Sequence, residues 1–144
     1  MKAISVLQPW ATSLLGAKDI ENRTWPLPEQ YLGVPLALHA SKRRVGSEFT
    51  AFLDTAMNGG YNAMEAMLMT GTKFPHAYGA IIGVIVFSIN VTASDSPWFA
   101  GPYGWVKLDV KALPEPISCK GALSLWGVPA DIEAEIRRQV GGMD

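Results

Sequence analysis

Residues 80–92, AIIGVIVFSINVT, carry the clearest secondary-structure signal in the chain. The run is rich in isoleucine and valine and is bounded by turn residues, a pattern typical of a buried β-strand. Gly83 lies inside the run and indicates a bend in the strand. We therefore predict that a long central strand occupies this segment and that the rest of the sheet forms around it.

Shorter strands and several helices are predicted on both sides of this central strand. The strands are the apolar or alternating segments 3–7, 19–25, 35–40, 103–110 and 123–126, with Pro114 and Pro116 closing the fourth of them. The helices begin at Pro9, near Ser47 and at Pro129, and the last two end at Gly59-Gly60 and before Gly141. Residues 61–77 suggest a short helix and an adaptable loop. Because strands and helices do not alternate regularly, the pattern favours an α+β fold on a twisted or barrel-like sheet.

Composition limits the class of protein. The chain has 144 residues, of which 49% are hydrophobic and 17% charged, so residues 1–144 are expected to form one globular domain. The longest nearly apolar run, residues 78–89, is too short for a membrane-spanning helix, and the first residues lack the features of a secretory signal. We therefore expect a cytoplasmic protein. A single cysteine, Cys119, excludes an internal disulfide and a cysteine-rich zinc site, and no motif indicates a metal or a cofactor.

Basic residues are concentrated at the front of the chain, although the formal net charge is only −1. Residues 1–44 hold six basic and three acidic side chains and therefore carry +3, whereas the remaining residues carry −4. Within this basic part, residues 16–23 (GAKDIENR) bring Lys18, Glu21 and Arg23 together within six positions. Alternation along an extended segment puts Glu21 and Arg23 on one face. The group indicates either an anion-binding site, with Glu21 holding the cations in place, or a surface ion pair.

The order of several motifs resembles the ASCH domain family, named for its homology to activating signal cointegrator 1. The segment Gly16-x-Lys18-x-x-Glu21-x-Arg23 is similar to the signature of that family. It is preceded by ISVLQPWA at residues 4–11 and followed by LHASK at residues 38–42, and the segment CKGALSLW at residues 119–126 is also similar. The likeness covers nearly the whole chain and is weakest over residues 45–79.

This resemblance implies a PUA-like twisted β-barrel flanked by helices, with a cleft between the first helix and the barrel. Lys18, Glu21 and Arg23 would then line the floor of the cleft, and Gln8 and Trp10 would lie near its mouth. His39, Ser41 and Lys42 match the second strand of the family and the turn after it. Read from the residues themselves, His39 lies in an apolar run, and this position favours a hydrogen-bonded core histidine over a catalytic base.

The expected function is binding of RNA or single-stranded nucleic acid. Relatives with the implied fold bind RNA or DNA, Lys42 and Arg43 can contact phosphates, and Trp10 or Trp25 can stack on an unpaired base. Of the remaining tryptophans, Trp105 and Trp126 are expected in the core.

The alternative function is hydrolysis. Some small members of the family remove the acetyl group of N4-acetylcytidine with a lysine, a threonine and a glutamate, and others are associated with ribonuclease activity. Lys18 matches that lysine, but Glu21 stands where the deacetylases have threonine, so Lys18 and Glu21 would have to act as a base and its orienting partner. A third, minor hypothesis is a protein-interaction adaptor whose methionine-rich segment 57–69 contacts a partner. The sequence leaves the oligomeric state open.

Overall fold

The computed structural model describes residues 1–62, 65 and 77–141. Within this part of the chain six strands form one sheet: β1 (Lys2–Val6), β2 (Ile20–Arg23), β3 (Leu36–Ala40), β4 (Ala80–Val91), β5 (Tyr103–Ser118) and β6 (Leu125–Gly127). Three helices accompany the sheet: α1 (Trp10–Leu14), α2 (Gly46–Asn58) and α3 (Ala130–Val140), with a 3-10 turn at Glu29–Tyr31. The α+β class predicted from the sequence is confirmed, and the predicted central strand is β4.

The sheet is mixed and curled into a half-barrel with the strand order β2-β5-β4-β3-β1-β6. β1 and β3 run parallel, and the other neighbouring pairs are antiparallel. The curl brings Arg23, at the end of edge strand β2, to β1, where its Nη2 donates to the carbonyl oxygen of Ser5 at 2.8 Å. β6 pairs only with Lys2, Ala3 and Ile4, so the Ser5 carbonyl lies beyond the end of β6. An arginine side chain therefore links β2 to β1 at this end of the sheet.

β5 is longer than the sequence predicts. Pro114 and Pro116 were expected to close the strand, but it continues through both residues to Ser118. The pairing with β4 explains the difference, because Ala112 pairs with Gly83 and Ile117 pairs with Ile81 across a register shift. Residues 113–116 thus form a bulge opposite a single residue of β4. Proline is tolerated there because no ladder hydrogen bond requires its missing N–H group.

The core is divided by the curled sheet. One cluster lies on the side that α1 covers, with Trp105 fully buried among Leu14, Leu38, Ile85 and Phe87. A second lies on the other side, where α3 packs against the sheet around Trp126 and Ile136. The expectation that Trp105 and Trp126 belong to the core is confirmed.

A third cluster joins α2 to the loop that follows β4. Phe52 and Ala56 of α2 are buried against Trp98 of that loop. This cluster holds α2 next to the loop that contains Trp98. None of the helices in the described residues is long and apolar enough to cross a membrane. Most of the helix and loop predicted for 61–77, including His76, lies outside the described residues, as do six of the thirteen residues in the segment 57–69.

Candidate nucleic-acid interface

A cavity of about 480 Å³ opens where β1 and β2 face α2 and the loop that contains Trp98. Its charged lining comes from the motif at residues 16–23 and its other walls from three separate parts of the chain. The side chains that matter most are Trp10, Lys18, Glu21, Arg23, Thr55 and Trp98. We call this space the first cavity.

Three paired charges form the floor of the first cavity. Lys18 is only 2% exposed, and its Nζ donates to Glu21 Oε1 at 3.0 Å and to the carbonyl oxygen of Ile20. Arg23 approaches the other carboxylate oxygen, with Nε and Nη2 at 3.0 and 2.9 Å from Glu21 Oε2. The alternation predicted for Glu21 and Arg23 is confirmed. The sequence left open a surface ion pair as the alternative, but Lys18 and Glu21 are both buried.

The floor keeps a net positive charge. Burial works against ionisation of Glu21, but the charges and hydrogen bonds of Lys18 and Arg23 outweigh it and lower the pKa of this carboxyl. One carboxylate is therefore shared by two cations. An ionised Glu21 leaves a charge of about +1 in a desolvated site, and such a site favours an anionic or carbonyl-bearing ligand over a cation.

Aromatic side chains form the walls, and each is held by contacts of its own. The Trp10 Nε1 group donates to Glu48 Oε2 at 2.6 Å, and its ring lies edge-on to Phe52 at 5.4 Å between centroids. Trp98 is buried against Phe52 and Tyr61, with centroid distances of 5.6 and 6.0 Å. These contacts restrict the rotamers of both tryptophans, so the walls are formed before any ligand arrives.

Asn22 positions the loop that carries Trp98. Its Nδ2 donates to the Trp98 carbonyl at 2.9 Å, and its Oδ1 accepts from the backbone N–H groups of Ala100 and Gly101 at 2.8 and 3.1 Å. One side chain in the motif therefore holds a segment more than seventy positions away. Asn22, Thr55 and Trp98 were not predicted as site residues from the sequence. The only signal for Asn22 was its place between Glu21 and Arg23.

A second cavity, of about 1030 Å³, adjoins the first at Ser5, Leu7 and Arg23. Ser41, Lys42 and Arg43, which follow β3, form one side of it, and residues 118–124 form the other. Four cationic side chains line this space: Arg23, Lys42, Arg43 and Lys120. Its lining contains no carboxylate among the described residues. Lys42 and Arg43 are exposed, so their charges are available to a ligand.

His39 lies at the base of the second cavity but is only 1% exposed. Its Nε2 lies 2.7 Å from the carbonyl oxygen of Cys119 and therefore carries the proton, so its Nδ1 accepts from Ser5 Oγ at 3.0 Å. Ser5 Oγ in turn accepts from Trp126 Nε1 at 3.1 Å. Burial lowers the pKa of His39, and the bond to Cys119 offsets this only in part. These contacts agree with the alternative of a hydrogen-bonded core histidine.

Gln8 and Trp25 line neither of the two cavities. Gln8 is buried, and its amide bonds to Thr12 and to the carbonyl oxygen of Ala77. The Trp25 ring packs edge-on against Trp105 at 4.9 Å, and its carbonyl accepts from the indole nitrogen of that residue. Both residues support the fold next to the site.

No cluster of three histidine, cysteine, aspartate or glutamate side chains suitable for a metal ion occurs in the part of the chain that the structure describes. The described linings of the two cavities hold charged, aromatic and hydroxyl-bearing side chains. In comparisons with known proteins, no family model matches this sequence, and no curated protein matches it.

Proposed function

We propose that this chain is a nucleic-acid-binding domain that takes RNA or single-stranded nucleic acid across its two adjoining cavities. The observation that carries the proposal is the lining of the second cavity, in which Arg23, Lys42, Arg43 and Lys120 lie together with no acidic side chain among the described residues. A polyanion gains affinity from such a surface by releasing its counterions. A chain with a formal net charge of −1 concentrates these cations at one place, which favours a specific anionic ligand over a generally basic surface.

The size and the aromatic lining of the first cavity favour a single strand over a duplex as the ligand. Trp10 and Trp98 line a space of about 480 Å³, the size of a small-molecule site. Bases of a single strand are free to leave the stack and pack against aromatic side chains, and each stacked base contributes roughly 1–3 kcal/mol. A duplex would first have to be opened.

The sequence resemblance to the ASCH family is a separate support for the proposal. It is carried by the motif Gly16-x-Lys18-x-x-Glu21-x-Arg23, and the same motif supplies the charged floor of the first cavity. We extend the proposal to the fold, as a PUA-like barrel, because a curled mixed sheet with flanking helices is compatible with it. The cleft of this proposal is bounded by α2 and the Trp98 loop as well as by the first helix.

Fluorescence anisotropy of labelled single-stranded RNA and DNA at several salt concentrations tests the proposal. For single strands, the slope of log affinity against log salt is about −0.7 per phosphate contacted. Replacing both Lys42 and Arg43 by glutamine should therefore weaken binding and reduce the slope by about 1.4. Arg137→Gln on α3 is the matched control, since Arg137 is 52% exposed and belongs to neither lining. Absence of binding to any oligonucleotide at low salt would refute the proposal.

Hydrolysis of a modified nucleoside or of RNA is the second candidate. The observation in its favour is that Lys18, Glu21 and the Thr55 side chain line one small cavity. However, Lys18 already donates to Glu21 and to the Ile20 carbonyl, an arrangement that suits a fixed positive charge better than a proton acceptor. Incubation with N4-acetylcytidine and with RNA, followed by chromatography, separates the two functions. Release of cytidine or shortened RNA would identify a hydrolase, and intact substrates are expected of a binding domain.

A further inference from the structure

Arg23 stands at the boundary between the two cavities. It lines both of them, and its Nε and Nη2 atoms are held by Glu21 and by the Ser5 carbonyl. Its other terminal nitrogen, Nη1, has no hydrogen-bond partner among the described residues. The side chain of Arg23 is 21% exposed. Two N–H donors on a rigidly oriented guanidinium are therefore available at the boundary.

The two cavities differ in size and chemistry in a way that matches the two halves of a nucleotide. The first is the smaller and has the aromatic residues Trp10 and Trp98 in its lining. The second is about twice as large and is lined by cations. A base suits the first and phosphates suit the second, and Arg23 lies where the two must be joined.

We propose that the two cavities form one bipartite site for a nucleoside phosphate, a proposal that rests on the proposed function and specifies its ligand. The base enters the first cavity, and the phosphate joined to its sugar binds the free N–H groups of Arg23. Lys42 and Arg43 take the next phosphate when the ligand is a strand. The ligand chemistry is the same for a free mononucleotide and for a nucleotide unit of single-stranded RNA.

The positive floor of the first cavity supports this arrangement. Lys18, Glu21 and Arg23 together leave a net charge of about +1, and Arg23, one of the two cations, belongs to both linings. A ligand with its negative charge next to the base therefore gains more binding free energy at this site than a neutral nucleoside does. A charge-assisted hydrogen bond to phosphate is about twice as strong as a neutral one.

The test is competition of nucleosides and nucleoside 5′-monophosphates against a labelled single-stranded RNA. Monophosphates of the base that binds best should displace the RNA at concentrations about tenfold lower than the matching nucleoside. Ala51 lines the first cavity from the exposed side of α2, so Ala51→Trp fills the cavity without entering the core. Thr50→Trp, at the neighbouring exposed position outside either lining, is the matched control.

Ala51→Trp should weaken nucleosides, monophosphates and RNA by at least tenfold, and Thr50→Trp should change none of them by more than twofold. Replacing Lys42 by glutamine should weaken RNA while leaving nucleosides unchanged. Equal displacement of the RNA by nucleosides and by monophosphates would overturn the bipartite site. RNA binding that Ala51→Trp leaves intact would also overturn the bipartite site, but it would leave the proposed function standing. Absence of RNA binding to the unmodified protein would remove both proposals. If RNA binds tighter than the monophosphate, the strand is the ligand, and equal affinities identify the free nucleotide.

Discussion

Replacing Lys18 by methionine tests whether the charged floor is a buried ion pair. Methionine preserves most of the length and apolar surface of the side chain and removes its charge. Glu21 then loses the partner at 3.0 Å and retains Arg23 at 2.9 Å, and the Ile20 carbonyl loses the Lys18 hydrogen bond. Breaking a buried pair costs about 3–5 kcal/mol when the remaining charge is uncompensated. Because Arg23 still compensates Glu21, we expect the low end, a loss of about 3 kcal/mol in the free energy of unfolding.

Urea denaturation followed by tryptophan fluorescence measures this loss. With a dependence of about 2 kcal/mol per M urea, the midpoint should fall by about 1.5 M. Arg137→Met is the matched control, because Arg137 pairs with Glu133 on the surface of α3 at 3.2 Å and is 52% exposed. A surface pair contributes about 0–1 kcal/mol, so the control should shift the midpoint by less than about 0.5 M.

The pH dependence of the difference gives a second measurement. The pKa of Glu21 in the folded protein lies below its usual 4.5, so its ion pairing stabilises the fold above that pH and is lost as the pH falls through the lowered value. In the Lys18→Met variant the pKa of Glu21 is higher, so this variant loses less on acidification. The gap between the two proteins should therefore narrow between pH 7 and pH 3. A loss no larger than that of Arg137→Met, or a gap independent of pH, would refute the buried pair.

Two further predictions concern the hydrogen-bonded group beneath the second cavity. In a His76→Gln background, where His39 is the one histidine left, the free energy of unfolding should fall as the pH drops below 6.5 through the lowered pKa of His39, by at most about 1.4 kcal/mol per pH unit. A flat profile between pH 7 and pH 5 in urea titrations would contradict the burial of His39. Gly121→Ala should destabilise the protein by about 1–3 kcal/mol in thermal unfolding, because the added methyl group would lie 2.5 Å from the His39 ring and 2.8 Å from Ser5 Oγ. Gly127→Ala meets no atom within 4 Å and should stay within about 0.5 kcal/mol of the unmodified protein, so equal effects of the two changes would count against this packing.

The bounds of the strands show which features of the fold the local sequence pattern predicts. The run of isoleucine and valine in residues 80–92 predicts β4 within one residue of its observed end. Residues 80–87 are buried on both faces, so apolar side chains are needed at nearly every position there. The predicted end of β5 was wrong, because that prediction assumed a continuous ladder of backbone hydrogen bonds in which proline cannot take part. Whether a ladder bond is needed at Pro114 depends on the register with β4, and this register is set by residues some thirty positions away.

The site shows the same division. The order of residues 16–23 and strand alternation were enough to place Glu21 and Arg23 side by side, since both depend on neighbours in the chain. The assignments of Gln8 and Trp25 to the interface had no such local basis. Each is a polar or aromatic side chain that the fold satisfies internally, Gln8 through Thr12 and Trp25 through Trp105.

By itself the sequence determined which segments are extended or helical, that positive charge is concentrated in residues 1–44, and that Lys18, Glu21 and Arg23 act as one group. Only the tertiary structure decided that this group is buried, that Trp98 reaches it through Asn22, and that Lys120 joins Lys42 and Arg43 around one cavity. The physical reason is range. Strand periodicity and charge spacing act between near neighbours, whereas burial and the meeting of distant side chains follow from the curl of the whole sheet, to which every strand pairing contributes.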